Sequence, residues 1–202
     1  MAEKRIQDWL HTAVSGIRFA PDRKKVEEEL RALDMPKVHF ETQFMPSPGE
    51  DGMDMTGMDQ VQFLMSPTVG EALKPIQKVA SGGELARIML ALKNVLAEDD
   101  GIGSLVFDEV DTGVSGRAAQ KVAEKMAAIS SHAQVLCVTH LPQIAALANI
   151  HLLIAKAERD GRTYTSVTPL DIEGRKRELA RIIGGATITE TTLKSAEEML
   201  RV

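Results

Sequence analysis

The spacing of apolar residues changes along the chain, and each change predicts a different kind of element. At 3–33 apolar residues recur every three or four positions with a break at 20–21, which predicts two helices. The charges of the second helix are typical of a solvated face, and also of the end of a coiled coil. At 37–66 apolar and polar residues alternate on both sides of a Met-, Gly- and Asp-rich stretch at 45–58. This pattern predicts two strands joined by a mobile loop.

After Pro75 the pattern predicts helices and strands in alternation. In chain order these are a helix at 81–97, a strand at 104–107, a helix at 115–130, a strand at 134–139, a short helix at 141–148, a hairpin with strands at 150–157 and 162–168, and helices at 175–183 and 190–201. Alternating apolar strands and amphipathic helices are typical of parallel βα units with a covered sheet. The predicted class is therefore α/β, with a largely parallel sheet flanked by helices and a terminal hairpin turned by Asp160-Gly161.

Composition narrows the function classes. The 202 residues include 44% hydrophobic residues, enough to bury a core, and their net charge of −5 gives no general attraction to nucleic acid. Any DNA contact would have to be local. Cys137 is the single cysteine and lies in an apolar run, so we expect a small buried hydrophobe in a reducing cytoplasm. No stretch approaches the roughly 20 apolar residues that cross a bilayer, so no membrane segment is expected.

The helix predicted from Ser81 begins with an unusual pair of glycines. Ser81 and Glu84 have the spacing of a capping box, which by itself indicates only a good helix start. Gly82 and Gly83 weaken the first turn by up to about 1 kcal/mol each relative to alanine. Bare backbone at a helix start lets an anion approach the free N–H groups and the positive end of the dipole. We therefore predict a phosphate-binding surface here.

Polar residues follow each of the two predicted parallel strands. Asp108 and Glu109 are adjacent acids at the end of one strand, where one suits a hydrated Mg²⁺ and the other a general base or water-positioning role. His140 ends the next strand, at the sheet edge where α/β folds bind ligands, so it is a candidate for contact with a γ-phosphate. Two acids at a strand end and a lone histidine are also common as structural residues. Asp111 is either a turn residue or a residue that reaches a partner lobe.

The sequence contains no phosphate-cradling loop of the form G-x-x-x-x-G-K-[ST]. Gly52 and Gly57 have the glycine spacing of such a loop, but neither the Lys nor the Ser/Thr follows, so we reject them as a nucleotide site. The motifs that are present therefore predict half of an ATP-hydrolysing site.

These residues resemble motifs of the ABC-type ATPase superfamily. The correspondences are Ser81-Gly82-Gly83-Glu84 with the signature motif, 105–108 with the Walker B strand, Glu109 with the catalytic glutamate, Asp111 with the D-loop and His140 with the switch histidine. Segments 78–93, 107–116 and 138–145 are very similar to the C-terminal part of the bacterial RecN family of SMC-like recombinational repair proteins. The resemblance covers nearly the whole chain.

The resemblance implies the C-terminal lobe of an ABC/SMC-type P-loop ATPase head at 36–202, preceded at 1–35 by the end of a coiled-coil arm. It implies ATP and Mg²⁺ as cofactors, with Asp108 at the metal and Glu109 and His140 as catalytic residues. Ser81, Gly82, Gly83, Glu84 and Asp111 would be nucleotide-binding residues. The first three would touch the γ-phosphate of nucleotide held by another head.

The resemblance also implies partners and a setting. We expect an N-terminal Walker A lobe, a second head in a homodimer and DNA contacted through the full assembly, in the cytoplasm and nucleoid of a bacterium. The implied function is recombinational repair of DNA double-strand breaks, with ATP hydrolysis only when a Walker A-containing lobe complements this one.

Three other interpretations remain open. The chain could be a head of another SMC-like or transporter-type ATPase, although the strings around Asp111 and His140 argue against this. It could instead be a non-catalytic dimerisation or interaction module derived from such a head. Direct DNA binding through 175–177, Arg-Lys-Arg, is the weakest interpretation, since a basic cluster on a helix is more often a charged face.

Overall fold

The structure is a computed structural model that describes residues 21–47, 58–66, 68, 70–96, 103–185 and 187–201. The first predicted helix, most of the predicted loop at 45–58 and the Gly52/Gly57 spacing lie outside these residues. The described elements are α1 (Arg23–Ala32), β1 (His39–Pro46), β2 (Asp59–Ser66), β3 (Lys74–Pro75), α2 (Ile76–Val79), α3 (Gly82–Leu96), β4 (Ser104–Phe107), α4 (Gly116–Ile129), β5 (Gln134–Cys137), α5 (Pro142–Leu147), β6 (Leu152–Arg159), β7 (Arg162–Pro169), α6 (Ile172–Gly184) and α7 (Glu190–Met199). The order of helices and strands predicted after Pro75 is confirmed from α3 onward, and the short helix α2 is an addition to it.

Helix α1 begins at a capping aspartate and buries one apolar stripe. Asp22 accepts hydrogen bonds from the N–H groups of Lys24 and Lys25, which satisfies two of the free donors of the first turn. Val26 and Leu30 lie four residues apart, and both are fully buried. Helix α1 is therefore fixed to the body of the domain by its core face.

Strands β1, β2 and β3 form an antiparallel sheet in that order. Phe40 of β1 is fully buried and packs on Phe63 of β2 with ring centroids 5.5 Å apart, as aromatic pairs do in cores. Helix α3 packs against both α1 and α4, and its residues Ile88 and Leu90 are fully buried. One core thus joins the antiparallel sheet to the helices that flank the site.

Strands β4 and β5 are the parallel pair, with Ser104 opposite Gln134 and Phe107 opposite Cys137. The other described strands pair antiparallel, so the parallel part of the described sheets consists of this pair. Leu105, Val135 and Cys137 pack against the core on one face, as expected for a strand covered by helices. The opposite face is open, because Val106 is 72% exposed. The covered sheet that the sequence predicts is therefore found on one face only.

The C-terminal part combines a hairpin with two helices. Strands β6 and β7 pair antiparallel around Asp160 and Gly161, whose φ angles of 52° and 70° are those of a tight hairpin turn. Helices α6 and α7 pack on each other and on α5 through a small second cluster that includes Leu179 and Ala196. Within the described residues no helix has the length and apolar character that a membrane crossing requires.

Candidate functional site

The start of α3 is a complete capping box. Glu84 Oε2 accepts hydrogen bonds from the Ser81 backbone N–H and from the Ser81 hydroxyl, both at 2.8 Å, while Ser81 Oγ faces the Glu84 N–H at 3.4 Å. The backbone N–H of Ser81 is the main cause that lowers the pKa of Glu84, followed by the hydroxyl. The capping box that the sequence predicts is confirmed, and it keeps Glu84 ionised.

We expect Ser81→Ala to lower the free energy of unfolding at neutral pH by about 1 kcal/mol, the usual cost of a lost N-cap. The pKa of Glu84 should rise but stay below its ordinary value, because the backbone N–H remains. A depressed folded-state pKa stabilises the fold above the unfolded pKa, and this contribution disappears as the pH falls through the folded value. Urea unfolding from pH 7 down to pH 3 should show that the difference in free energy of unfolding between the unaltered chain and Ser81→Ala becomes smaller. A constant difference would contradict this account.

The two glycines of α3 lie against the turn that follows β4. A β-carbon at position 82 would lie 2.7 Å from Glu109 Oε2. A β-carbon at position 83 would lie 2.8 Å from the carbonyl oxygen of Thr112 and 3.2 Å from that of Glu109. Real β-carbons essentially never lie within 3.0 Å of another heavy atom. A larger residue at position 83 would therefore displace the turn, whereas one at position 82 would displace only the end of the Glu109 side chain. The structure therefore gives the glycines a second role besides bare backbone: they let α3 contact the acidic turn.

Arg87, on the next turn of α3, also holds α3 against the turn that follows β4. It belongs to none of the motifs identified in the sequence. Its side chain is buried, and Nη1 donates to the carbonyl oxygen of Thr112 at 2.8 Å. Burial is the main cause that lowers the pKa of Arg87, and the charges of Glu84 and Asp34 oppose it. The available sequence signal is the place of Arg87 within the apolar run at 85–92, since an Arg that is buried there requires a partner.

Asp108 and Glu109 are exposed at the carboxyl end of β4, as the sequence predicts. Glu109 has a φ of 58°, an uncommon conformation for a residue with a side chain. Its N–H donates to Asp108 Oδ1 at 2.9 Å, and its carbonyl accepts the N–H of Thr112 at 3.0 Å. This tight turn directs the Glu109 carboxylate toward Gly82. The signature-like helix start and the acidic pair are therefore adjacent within one chain.

Asp111 lies inside the domain, only 4% exposed. Its Oδ2 accepts hydrogen bonds from the Thr139 hydroxyl at 2.6 Å and the His140 N–H at 3.0 Å, and it lies 3.2 Å from His140 Nδ1. His140 itself is 75% exposed. The carboxylate that the sequence analysis considered for a partner lobe thus faces inward and holds the segment that carries His140.

The residues at 108–112 connect all these groups. On one side they contact Gly82, Gly83 and Arg87 of α3, and on the other Asp111 binds the segment at 139–140. The structure therefore brings the signature-like start of α3, the acidic pair and the histidine together around one turn.

The acidic pair fits a magnesium ion that keeps water and phosphate ligands. Within the described ranges no three His, Cys, Asp or Glu side chains are grouped as a protein-only metal site. Mg²⁺ is commonly held by one or two carboxylates together with waters and phosphate oxygens, so an exposed carboxylate such as Asp108 suffices. The residues present are compatible with Mg²⁺ bound together with a nucleotide.

The remaining candidates have structural roles. Arg175 Nη2 donates to the carbonyl oxygens of Ala146 and Ala148 at the end of α5, and Lys176 Nζ lies 2.8 Å from Glu197 Oε2 of α7. Two of the three basic residues at 175–177 are thus used within the chain, which weakens the interpretation as a DNA-binding patch. Burial is the main cause that raises the pKa of Cys137 to about 12, so its thiol stays protonated at neutral pH.

Comparison with known proteins gives a consistent result. No protein-family profile matches the chain. The DNA repair protein RecN of Halalkalibacterium halodurans is 49% identical over 88% of this chain, and that of Bacillus subtilis is 45% identical over 93%. Almost the whole chain is therefore RecN-like. The resemblance inferred from the motifs is confirmed, and it extends to RecN of Vibrio cholerae at 41% identity over 96% of the chain.

The RecN-like chain spans about a third of the length of these relatives, covering 32% and 35% of the first two. Among solved structures, the Smc head domain of Pyrococcus yayanosii matches 87% of the chain with a TM-score of 0.52 and 22% identity, covering 28% of that protein. The Pyrococcus furiosus Smc head, solved with the C-terminal domain of ScpA, matches 80% with a TM-score of 0.51 and 23% identity, covering 37% of that chain. These similarities confirm the fold, which is the α/β fold of Smc head domains.

Proposed function

We propose that this chain is the C-terminal lobe of the ATPase head of a RecN-like protein that acts in recombinational repair of DNA double-strand breaks. The observation that carries the proposal is the contact of Gly82 and Gly83 with the turn from Glu109 to Thr112. A helix start that can approach a phosphate and an acidic pair that can hold Mg²⁺ and a water are the parts that phosphoryl transfer requires. The similarity to DNA repair proteins named RecN supports the role in repair.

Each residue of the site has a proposed role. Asp108 would hold Mg²⁺, which would neutralise charge on the phosphates when bound with ATP. Glu109 orients the attacking water, and His140 contacts the γ-phosphate. The start of α3, from Ser81 to Glu84, binds the γ-phosphate of nucleotide held by a second head in a homodimer. The N–H groups of Gly82 and Gly83 are the donors, because those of Ser81 and Glu84 are used in the capping box. Asp111 acts indirectly, because it is buried beside His140.

We further propose that turnover requires a lobe with a Walker A loop, because the sequence contains no such loop and spans about a third of its relatives. The open face of the β4–β5 pair supports this. Val106, Leu136 and Val138 are all exposed there, and parallel sheets are ordinarily covered on both faces. DNA would be bound by the full assembly, in the bacterial cytoplasm.

Complementation tests this function. ATP turnover is measured for the chain alone, for a separately expressed lobe that carries a Walker A loop, and for the two mixed. We expect hydrolysis only in the mixture, and Glu109→Gln should abolish it. Robust Glu109-dependent hydrolysis by the chain alone would contradict the dependence on a second lobe. ATP binding by the mixture without turnover would instead favour a non-catalytic interaction module.

A further inference from the structure

One oxygen of the buried Asp111 carboxylate, Oδ2, is bound by a single short segment of the chain. Oδ2 accepts from the Thr139 hydroxyl and the His140 N–H, and His140 Nδ1 lies 3.2 Å away. Thr139 Oγ1 in turn accepts the Leu141 N–H at 3.0 Å. A buried carboxylate is costly unless it is paired and hydrogen-bonded. Loss of these contacts would therefore be unfavourable, which keeps Thr139 and His140 in place beside Asp111. The backbone of the segment and the ring of His140 are both fixed by one oxygen atom.

The contact decides which nitrogen of His140 is available to a ligand. Because Nδ1 faces the buried carboxylate while the side chain is 75% exposed, Nε2 is the nitrogen on the open side of the ring. The hydrogen bond made by one ring nitrogen sets the role of the other. With Nδ1 bound to Asp111, a protonated ring can donate its Nε2–H to a phosphate oxygen.

We infer that Asp111 is a positioning residue that orients His140 so that Nε2 faces the γ-phosphate. The contact with a γ-phosphate rests on the proposed ATPase function, whereas the orientation of the His140 ring by Asp111 does not. Asp111 lies two residues after Glu109, on the turn that also contacts α3. One turn therefore sets the position of both Glu109 and the imidazole, and a shift of the turn would move both.

The first test measures the ring itself and needs no activity. Long-range ¹H–¹⁵N spectra of the labelled chain at about pH 8, where an ordinary histidine is neutral, distinguish the two tautomers. Loss of signals in His140→Gln assigns the ring. We expect the Nδ1–H form of His140 in the unaltered chain and a shift toward the Nε2–H form in Asp111→Asn. Asp171→Asn is the matched control: it removes the charge of a helix cap far along the chain, while the amide oxygen can still accept the Gly174 N–H, and it should leave the ring signals unchanged. Identical His140 signals in the unaltered chain and Asp111→Asn would overturn the inference.

The second test uses the complete ATPase that carries this sequence. Asp111→Asn should lower kcat at least tenfold with KM little changed, because a misdirected ring loses part of its contribution to the chemical step. In the His140→Gln background, Asp111→Asn should cause no further loss, since the two residues act as a unit. If Asp111→Asn lowered kcat by the same factor in the His140→Gln background as in the unaltered protein, the inference would be overturned. If no form of the protein hydrolyses ATP, the proposed function fails, and the ring spectra still decide whether Asp111 orients His140.

Discussion

Glu109→Gln is expected to lower ATP turnover by about 10²- to 10⁴-fold in the complemented ATPase, the range contributed by a positioned general base. Glutamine keeps the size of the side chain but cannot accept the proton of the attacking water. The fold should survive, because the Glu109 side chain is exposed and its main chain holds the turn: the Glu109 N–H donates to Asp108 Oδ1, and the Glu109 carbonyl accepts the Thr112 N–H. Turnover is measured at saturating ATP, with circular dichroism as the check on folding.

The matched control is Glu198→Gln, an exposed glutamate on α7. It changes the net charge by the same amount, so it reports any effect of charge alone, and we expect unaltered turnover. Retention of more than half of the activity by Glu109→Gln would exclude it as the base. The proton would then have to be taken by another group, with the substrate phosphate itself as the first to test.

Local patterns predicted the elements around the site well. The strand at 104–107 and the helix from Ser81 are found almost where apolar periodicity and the capping box place them. These features depend on residues close in sequence, and nearest neighbours determine hydrogen bonding at a helix start. The exposed positions of Asp108 and Glu109 follow from the end of β4 in the same way.

Contacts between distant segments could not be predicted from spacing. Strand β5 ends at Cys137, two residues before the predicted end, because Thr139 and His140 turn their donors to Asp111. The burial of Asp111 depends on residues 28 and 29 positions away, so its sequence neighbours suggest only a turn. The open face of the β4–β5 pair could not be predicted either, since an apolar strand sequence does not show whether another element packs on each of its faces.

The glycines illustrate how one sequence feature can have more than one physical reason. The need for exposed backbone N–H groups that an anion can approach explains Gly82 and Gly83 equally well. The structure separates them: a β-carbon at 82 would meet the end of the Glu109 side chain, whereas one at 83 would meet the backbone and β-carbon of Thr112. A side chain can swing away, but a turn held by Arg87 cannot do so easily.

Gly83→Ala is therefore expected to lower the free energy of unfolding by about 1–3 kcal/mol, the usual cost of overpacking. Alanine's higher helix propensity offsets at most about 1 kcal/mol of this. Turnover in the complemented ATPase should also fall at least tenfold, because the displaced turn carries Glu109 and a misplacement of about 1 Å can cost 10²-fold.

Two other glycines provide the controls for this substitution. Gly82→Ala should leave stability nearly unchanged while lowering turnover, since only the Glu109 carboxylate has to move. Gly103→Ala should change neither, because a β-carbon there meets no atom within 4 Å. Urea unfolding of the three variants separates a steric effect at the turn from a general effect of replacing glycine. If Gly83→Ala proved as stable as Gly103→Ala, the turn would have to be free to move, and the close contact between α3 and the acidic pair could not be what positions Glu109.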